Sequence, residues 1–387
     1  MRPDLSDITV QSEFDPALFS NHEGPLVSLY MTTHRHAPEN RQDPIRYKNL
    51  VTEAKNLLEL NYDRKDYESV LAQLDLLEAY RDADVWTHAK DGLAVLASNS
   101  KTTVYHLDYP VDEFVSITDK FHVKPLIRNF QFGSHYYLLA INENGFELFE
   151  GGFHSIEKLE MPDGVETEFR KAFDDYTNSL SGMNGHQGSH SPTYHRYGGK
   201  SNVDEKDTAE HFRYAAKTVE DHFAKFRSCP IMLVGLPENQ AIFRQVAAMP
   251  TLLNESIDKP VESMDEKELL ERAVRIIEGI QETRIRERLG RFGDEAVQGR
   301  ASADPREIGH ALAERKVETL FVKQDKLIPG SFDPETGSLS YGADMLDASD
   351  DLTDDLAQAT YAQGGDVFVL PHDRMPAETG VAALYRY

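Results

Sequence analysis

From Tyr176 to Val203 the chain runs for 28 residues without one Asp or Glu and without any apolar period. Gly, Ser, His and Asn dominate it, so it offers no face that a sheet or helix could bury, and it is expected to be a loop. Loops longer than about 15 residues are uncommon in compact domains unless they are functional or disordered. Whatever folds on either side must present this segment rather than bury it. Elsewhere acid outnumbers base throughout: 21 to 13 over residues 1–125, 20 to 13 over 126–262 and 25 to 15 over 263–387, for a formal net charge of −25. So acidic a surface repels phosphate and argues against non-specific nucleic-acid binding, DNA included. Inside the acid-free stretch stand Arg196, Lys200 and the histidines His186, His190 and His195, a local opening for an anionic partner.

A chain of 387 residues is too long for one ordinary core, which favours two or three domains. The patterns divide it at 1–125, 126–262 and 263–387. In the first region Leu26–Thr32 reads as a strand rich in β-formers. Leu50, Val51, Ala54, Leu57 and Leu58 then keep helical spacing, as do Val70, Leu71, Leu74 and Leu77. Leu93–Ala97, Thr102–Leu107 and Phe114–Ile117 are further strands, giving an α+β character to this part. The second region opens with a hairpin, Tyr136–Ile141 and Phe146–Phe149 about the turn Asn142–Gly145. After the loop a helix is predicted from Asp204, with Phe212, Ala215, Ala216, Val219, Phe223 and Phe226 on one face. A buried strand at Ile231–Gly235 and a helix at 240–248 follow.

The third region starts a long helix at the capping pattern Ser263-Met-Asp-Glu266, reaching about Leu289. Asp304-Pro-Arg-Glu307 opens another helix, with proline suited to the first helical position, feeding the strand 318–322. An acidic helix at 352–363 and the strands 367–370 and 381–387 close the chain. Such alternation predicts an α/β class with an α/β sandwich at the C-terminus. The acidic run Asp344–Asp355 lacks the alternating ligands and central glycine of a calcium loop and is expected to face solvent.

The commonest chemical signatures fail. Gly199-Lys200-Ser201 resembles the end of a phosphate-binding loop, but the glycine required five residues earlier is Tyr194, and no strand precedes it. There is no Gly-x-Gly-x-x-Gly, His-Glu-x-x-His or Gly-x-Ser-x-Gly. His186, His190 and His195 lie in a glycine-rich loop without an acid or thiol nearby, so solvated imidazoles are favoured over a metal site. No metal and no organic cofactor is expected. Cys229 cannot form an internal disulfide and sits beside Ile231–Val234, where a small buried hydrophobe is expected. No stretch approaches the roughly 18 apolar residues that span a bilayer, and the opening residues lack the apolar core of a signal peptide, so a cytoplasmic location is expected.

Ala313-Glu-Arg-Lys-Val-Glu-Thr-Leu-Phe-Val322 resembles the helix-to-strand passage of archaeal and eukaryotic class 1 release factors and of Pelota. Thr379-Gly-Val-Ala-Ala-Leu-Tyr-Arg-Tyr387 is similar to their last strand. Val27-Ser-Leu-Tyr-Met31 and Asp91-Gly-Leu-Ala-Val-Leu96 resemble their first strands, and Asp119-Lys-Phe-His122 a motif just before the middle domain. Tyr197-Gly-Gly-Lys200 sits where release factors carry Gly-Gly-Gln, and Ala209-Glu-His-Phe-Arg213 where their next helix begins. On these residues the chain is identified as a member of the bacterial archaeo-eukaryotic release factor family.

The resemblance implies three domains: an N-terminal release-factor-like domain (1–125), a middle domain (126–262) with the loop 176–203 in the place of the Gly-Gly-Gln loop, and a C-terminal domain (263–387) resembling the ribosomal-protein L7Ae-like fold. It implies ribosome binding through rRNA, extending to the mRNA channel, and a translational GTPase such as elongation factor Tu as a partner. The loop tip would comprise His195, Arg196, Gly198, Gly199 and Lys200, and the decoding side Arg41, Arg46, Lys48 and Asn49. For each cation an ordinary solvated charge is the competing reading. Two departures bear on function. The glutamine that helps place the hydrolytic water is Lys200 here, and an ammonium cannot reproduce an amide's donor and acceptor. Arg41-Gln-Asp-Pro-Ile-Arg-Tyr-Lys-Asn49 contains no Asn-Ile-Lys-Ser for stop codons. An adaptor in the A site of stalled, stressed or hibernating ribosomes is therefore expected, without a catalytic residue. The alternatives are peptidyl-tRNA hydrolysis, with Gln187 or His195 orienting water, and an RNA- or protein-binding module acting off the ribosome.

Overall fold

The computed structural model describes residues 8–11, 14–19, 24–79, 84–131, 135–172, 200–222, 229–342 and 350–387. The chain divides into two compact units, one built from 1–132 with 282–387, the other from 133–281.

The first unit begins with strands β1 (Ile8–Gln11), β2 (Leu26–Thr32), β3 (Gly92–Ala97), β4 (Thr102–Leu107) and β5 (Phe114–Thr118), in the spatial order β1-β4-β3-β2-β5. Helices α1 (Asp43–Asn61) and α2 (Arg64–Ala79) connect β2 towards β3, with the single turn α3 (Asp84–Thr87) before it. Val27, Leu29 and Met31 of β2 pack with Tyr47, Leu50, Val51, Ala54 and Leu58 of α1 and with Val70, Leu74 and Leu77 of α2. Leu26 and Tyr30, on the opposite face of the same strand, enter a second core. A strand covered on both faces has no reason to alternate, which is why β2 and β3 read as nearly continuous apolar runs. After β5 comes α4 (Lys124–Phe130), a two-turn helix too short for a period to reveal.

The second unit contains β6 (Tyr136–Ile141), β7 (Phe146–Gly151), β8 (Ile156–Lys158), α5 (Lys200–His222), β9 (Ile231–Val234), α6 (Pro237–Val246) and β10 (Leu252–Ile257). The sheet order is β10-β9-β6-β7-β8, parallel across β10, β9 and β6 and antiparallel from β6 to β8. The turn of the β6–β7 hairpin is closed by the Asn142 side chain, whose Oδ1 accepts from the backbone N–H of Asn144 at 2.8 Å and of Gly145 at 2.9 Å. Gly145 is required by close approach: a Cβ there would lie 2.4 Å from the Thr167 carbonyl oxygen. Tyr137, Leu139, Ile231 and Leu233 face Phe212, Ala215 and Val219 of α5 and Phe243 of α6. Burying a side chain such as Phe212 contributes about 1.5–3 kcal/mol. Tyr136, Leu138, Met232 and Val234, one residue out of phase, face Leu269, Ala273 and Ile277. Cys229 is only partly buried and packs against the first of these cores.

Two helix starts differ from their expected positions. The helix expected from Asp204 begins at Lys200, inside the stretch expected to be loop. The long helix α7 (Glu266–Val297) is capped by Asp265, whose Oδ1 accepts from the Glu268 N–H at 2.7 Å, while Ser263 closes a 3₁₀ turn. It runs past Leu289 because its stripe continues through Ile285, Leu289 and Phe292 onto a further core.

That core belongs to the C-terminal part of the first unit, made of β11 (Ala301–Ser302), α8 (Pro305–Ala313), β12 (Val317–Lys323), the hairpin β13 (Gly330–Phe332) and β14 (Leu339–Tyr341), α9 (Leu352–Ala362), β15 (Asp366–Leu370) and β16 (Val381–Tyr385). The four-stranded sheet runs β11-β16-β12-β15, with β12 and β15 parallel. Asp304 caps α8 as its sequence indicates, accepting from the Arg306 N–H at 2.8 Å. Phe321, Phe368, Leu370 and Leu384 take the end of α7. On the opposite face Ile308, Leu312, Leu320 and Leu356 share one core with Leu26, Tyr30, Leu96 and Leu126. The architecture is mixed α/β with several sheets, and among the described residues no helix is long and apolar enough to cross a membrane.

The acidic run Asp344–Asp355 does not behave as a solvated face where it is described. Residues 344–349 lie outside the described residues, but Asp351, Asp354 and Asp355 are 3%, 3% and 4% exposed. Each has a structural task that local sequence could not announce, because its partners lie more than 200 residues away, in the segment Lys120–Lys124.

Candidate functional site

The connection from β2 to α1 is the part of the expected decoding side that the structure describes. Its path is fixed by buried polar groups. Asp43, the first residue of α1, is 1% exposed. Its carboxylate accepts from the backbone N–H of His34 at 2.8 Å and meets His34 Nδ1 at 2.8 Å. Thr33 Oγ1 donates to the Lys90 carbonyl at 2.9 Å, and Arg35 Nε donates to Asp91 Oδ1 at 2.7 Å. Pro44 then starts the helix where its missing N–H costs nothing.

Arg41 is exposed on the 3₁₀ turn Glu39–Gln42, and Arg46, Lys48 and Asn49 fall in the first two turns of α1. The four residues expected on the decoding side are neighbours in the sequence, within nine positions, and fall on this turn and the helix that follows it. Arg46 is partly buried; Lys48, 56% exposed, donates to Glu78 Oε1 at 2.8 Å. Between Thr33 and Asn49 four Arg and Lys face two acids, one of them Asp43, which is occupied by His34. The segment is cationic on a chain of charge −25. Ile45 is 53% exposed beside Arg41 and Lys48. Sequence reasoning passed over it, although its place off the stripe Tyr47, Leu50, Val51, Ala54 and Leu58 marks it as an outward apolar residue.

Of the expected loop tip, His195, Arg196, Gly198 and Gly199 lie outside the described residues, as do Gln187, His186 and His190. Lys200 is the first residue of α5. Among the described residues no group of three His, Cys, Asp or Glu could hold a metal ion.

The charged residues of the segment Lys120–Lys124 and of the start of α9 form a buried network in the first unit. Lys124 Nζ donates to Asp351 Oδ2 at 2.6 Å, to the Lys326 carbonyl at 2.8 Å and to Thr353 Oγ1 at 3.0 Å. Asp354 Oδ1 accepts from the N–H groups of Val123 at 2.9 Å and Lys124 at 2.5 Å, and its Oδ2 from Gln358 Nε2 at 2.7 Å. Asp355 Oδ2 accepts from Lys120 Nζ at 2.8 Å and from the Phe332 N–H at 2.9 Å. Burial pushes the Asp351 carboxyl up, but the charge and hydrogen bond of Lys124, with the Ile328 N–H, outweigh it and hold it below its usual range. Asp354 is raised to about 7 by burial and by Asp351. His122 is lowered to about 3 by burial and by Lys124, so its imidazole is neutral.

At the edge of this network Asp350 is raised to about 7 by burial and by the neighbouring Asp355. Its folded form therefore keeps a proton that the unfolded chain loses near pH 4. The resulting stabilisation is complete below about pH 4 and lost as pH rises through about 7. Asp350→Asn is expected to stabilise the first unit at pH 8 by about 1–2 kcal/mol, after discounting for solvent screening of a partly exposed group. At pH 4.5 it should change little. Urea unfolding at the two pH values checks this; equal effects at both would contradict it.

Residues 135–316 match the model of bacterial archaeo-eukaryotic release factor family 3. Several solved structures align along much of the chain. The archaeal translation termination factor aRF1 is 12% identical, covering 96% of this chain and 95% of that one, with a TM-score of 0.25. Dom34 of S. cerevisiae, a translation termination-like factor involved in RNA quality control and interacting with Hbs1, is 13% identical over 74% of each chain, with a TM-score of 0.39. A model of ribosome-bound archaeal Pelota and ABCE1 is 12% identical, covering 96% and 92%, with a TM-score of 0.39. No curated protein matches.

Proposed function

We propose, on the premise that residues 135–316 make this chain a member of the bacterial archaeo-eukaryotic release factor family, that it binds the ribosome in the A site or a tRNA-like position. The ribosomal states it serves are stalled, stressed or hibernating ones, reached in the cytoplasm without stop-codon decoding and without a cofactor. The observation that carries this reading is the family match over residues 135–316, a range that includes Lys200, which we read as standing in the place of the glutamine of Gly-Gly-Gln. The cationic β2–α1 connection supports it by offering a phosphate-compatible face on an acidic protein. We read the chain as three family modules, 1–125, 126–262 and 263–387, the last an L7Ae-like α/β sandwich that engages a translational GTPase such as elongation factor Tu. On this reading the first module supplies the five-stranded sheet of the first unit, and the third its four-stranded sheet and the β13–β14 hairpin.

The test is whether the purified protein displaces labelled tRNA from the A site of programmed 70S ribosomes in a filter-binding assay. Displacement that saturates near one protein per ribosome is expected; undisturbed tRNA occupancy would remove the A-site reading. In the same ribosomes carrying labelled peptidyl-tRNA in the P site, no peptide should be liberated above the factor-free control, because Lys200 offers no amide to place water. Liberation would restore a hydrolytic role to Gln187 or His195.

A further inference from the structure

We propose that a cavity in the first unit binds an organic cation, an amine or guanidinium carried on an apolar stem. The cavity has a volume of about 290 Å³ and opens where the β4–β5 connection, the start of α4 and the segment 324–327 meet. Pockets for drug-sized ligands start at about 300 Å³, so this one suits a side chain or a short amine.

Its inner wall is aromatic. The Phe114 ring lies 4.9 Å from that of His122, and Tyr30 lies 6.0 Å from it, edge to face. Aromatic faces attract cations, the more so when water is excluded. His122 supplies the polar contact at depth: its side chain is 6% exposed, and neither ring nitrogen has a hydrogen-bond partner among the described residues. The nearest carboxylate oxygen, Asp354 Oδ1, is 3.7 Å from Nδ1, beyond hydrogen-bond reach. Because burial keeps the imidazole neutral, one ring nitrogen is an acceptor for an incoming N–H.

The mouth carries the charge. Asp112, Glu113 and Asp325 are exposed on the cavity lining and make no ion pair with any described residue. Two cations also line it, but both are engaged: Lys124 with Asp351, and Arg128 stacked 3.8 Å over the Tyr109 ring. Lys124 is neutralised by its partner, leaving Arg128 against three carboxylates. The field at the mouth therefore favours a cation and disfavours any phosphate-bearing ligand. Val111 and Leu327 offer apolar surface for the stem. The shared chemistry fits a free polyamine or a Lys or Arg side chain of a protein, and nothing in the proposal depends on ribosome binding.

Calorimetric titration of the full chain with spermidine, with the peptide acetyl-Gly-Arg-Gly-amide and with adenosine monophosphate tests it. One or both cations should bind at one per chain, and the nucleotide should not. Tighter binding of spermidine would assign the free amine, and tighter binding of the peptide a protein side chain. Asp112→Asn with Glu113→Gln and Asp325→Asn should weaken binding about tenfold or more. Leu327→Trp, at the exposed rim, should do the same, with circular dichroism verifying that both variants fold. Neutralising Glu287, Asp294 and Glu335, also exposed, should change affinity less than about twofold. Failure of both cations, binding of the nucleotide, or equal losses in the two triple variants would overturn the assignment.

Discussion

Lys124→Met is expected to destabilise the first unit by about 3–5 kcal/mol, the loss seen when one partner of a buried ion pair is removed. The side chains of Lys124 and Asp351 are 4% and 1% exposed, and the ammonium uses its three protons on Asp351, the Lys326 carbonyl and Thr353. Methionine fills much of the same space but leaves the Asp351 carboxylate without a countercharge. Trp86 is the chain's only tryptophan and packs edge to face on Tyr47 in the core of the first unit. Its fluorescence in a urea titration therefore reports this unit alone. Adding Asp351→Asn should recover part of the loss, because the charge is gone while an acceptor remains to cap α9. A loss below about 1 kcal/mol for Lys124→Met would show that the pair behaves as if solvated.

Reversing Arg41, Arg46 and Lys48 together to glutamate is expected to weaken ribosome binding about 100-fold at low salt, and to flatten its salt dependence. The three lie in a stretch where base exceeds acid, four Arg and Lys to two acids between Thr33 and Asn49, and where the backbone is fixed by Asp43, Thr33 and Arg35. Stability should change by less than about 1 kcal/mol, since among the described residues the one ion pair lost is the contact of the exposed Lys48 with Glu78. The same reversal at Lys267, Arg286 and Arg306, also exposed, removes equal charge elsewhere. Equal weakening by both sets, measured by ribosome pelleting over a salt series, would reduce the β2–α1 connection to one charge among many.

What could be read from the sequence was what is periodic over several turns or signalled within four residues. The stripe Phe212, Ala215, Ala216 and Val219 gave α5 its buried face, and Asp304 with Pro305 gave the start of α8. Short pieces escaped: β1, β8 and α4 are too brief for a period, and they exist because a neighbouring strand or core receives them. The acidic run misled because a carboxylate's burial depends on a distant donor, here Lys120 and Lys124, and composition carries no trace of that pairing. The cavity was invisible for the same reason, since Tyr30, Phe114, His122 and Asp325 meet only in the fold. Arg41, Arg46, Lys48 and Asn49 could be named through family resemblance; Ile45, exposed among them, could have been found from its position off the apolar stripe.

The central claim, ribosome binding, is tested most directly by co-sedimentation of the purified protein with vacant 70S ribosomes at low and physiological salt, with and without elongation factor Tu. The expected result is retention in the ribosome peak that A-site tRNA competes away. Absence from that peak under every condition would leave the fold as described and contradict the proposed function.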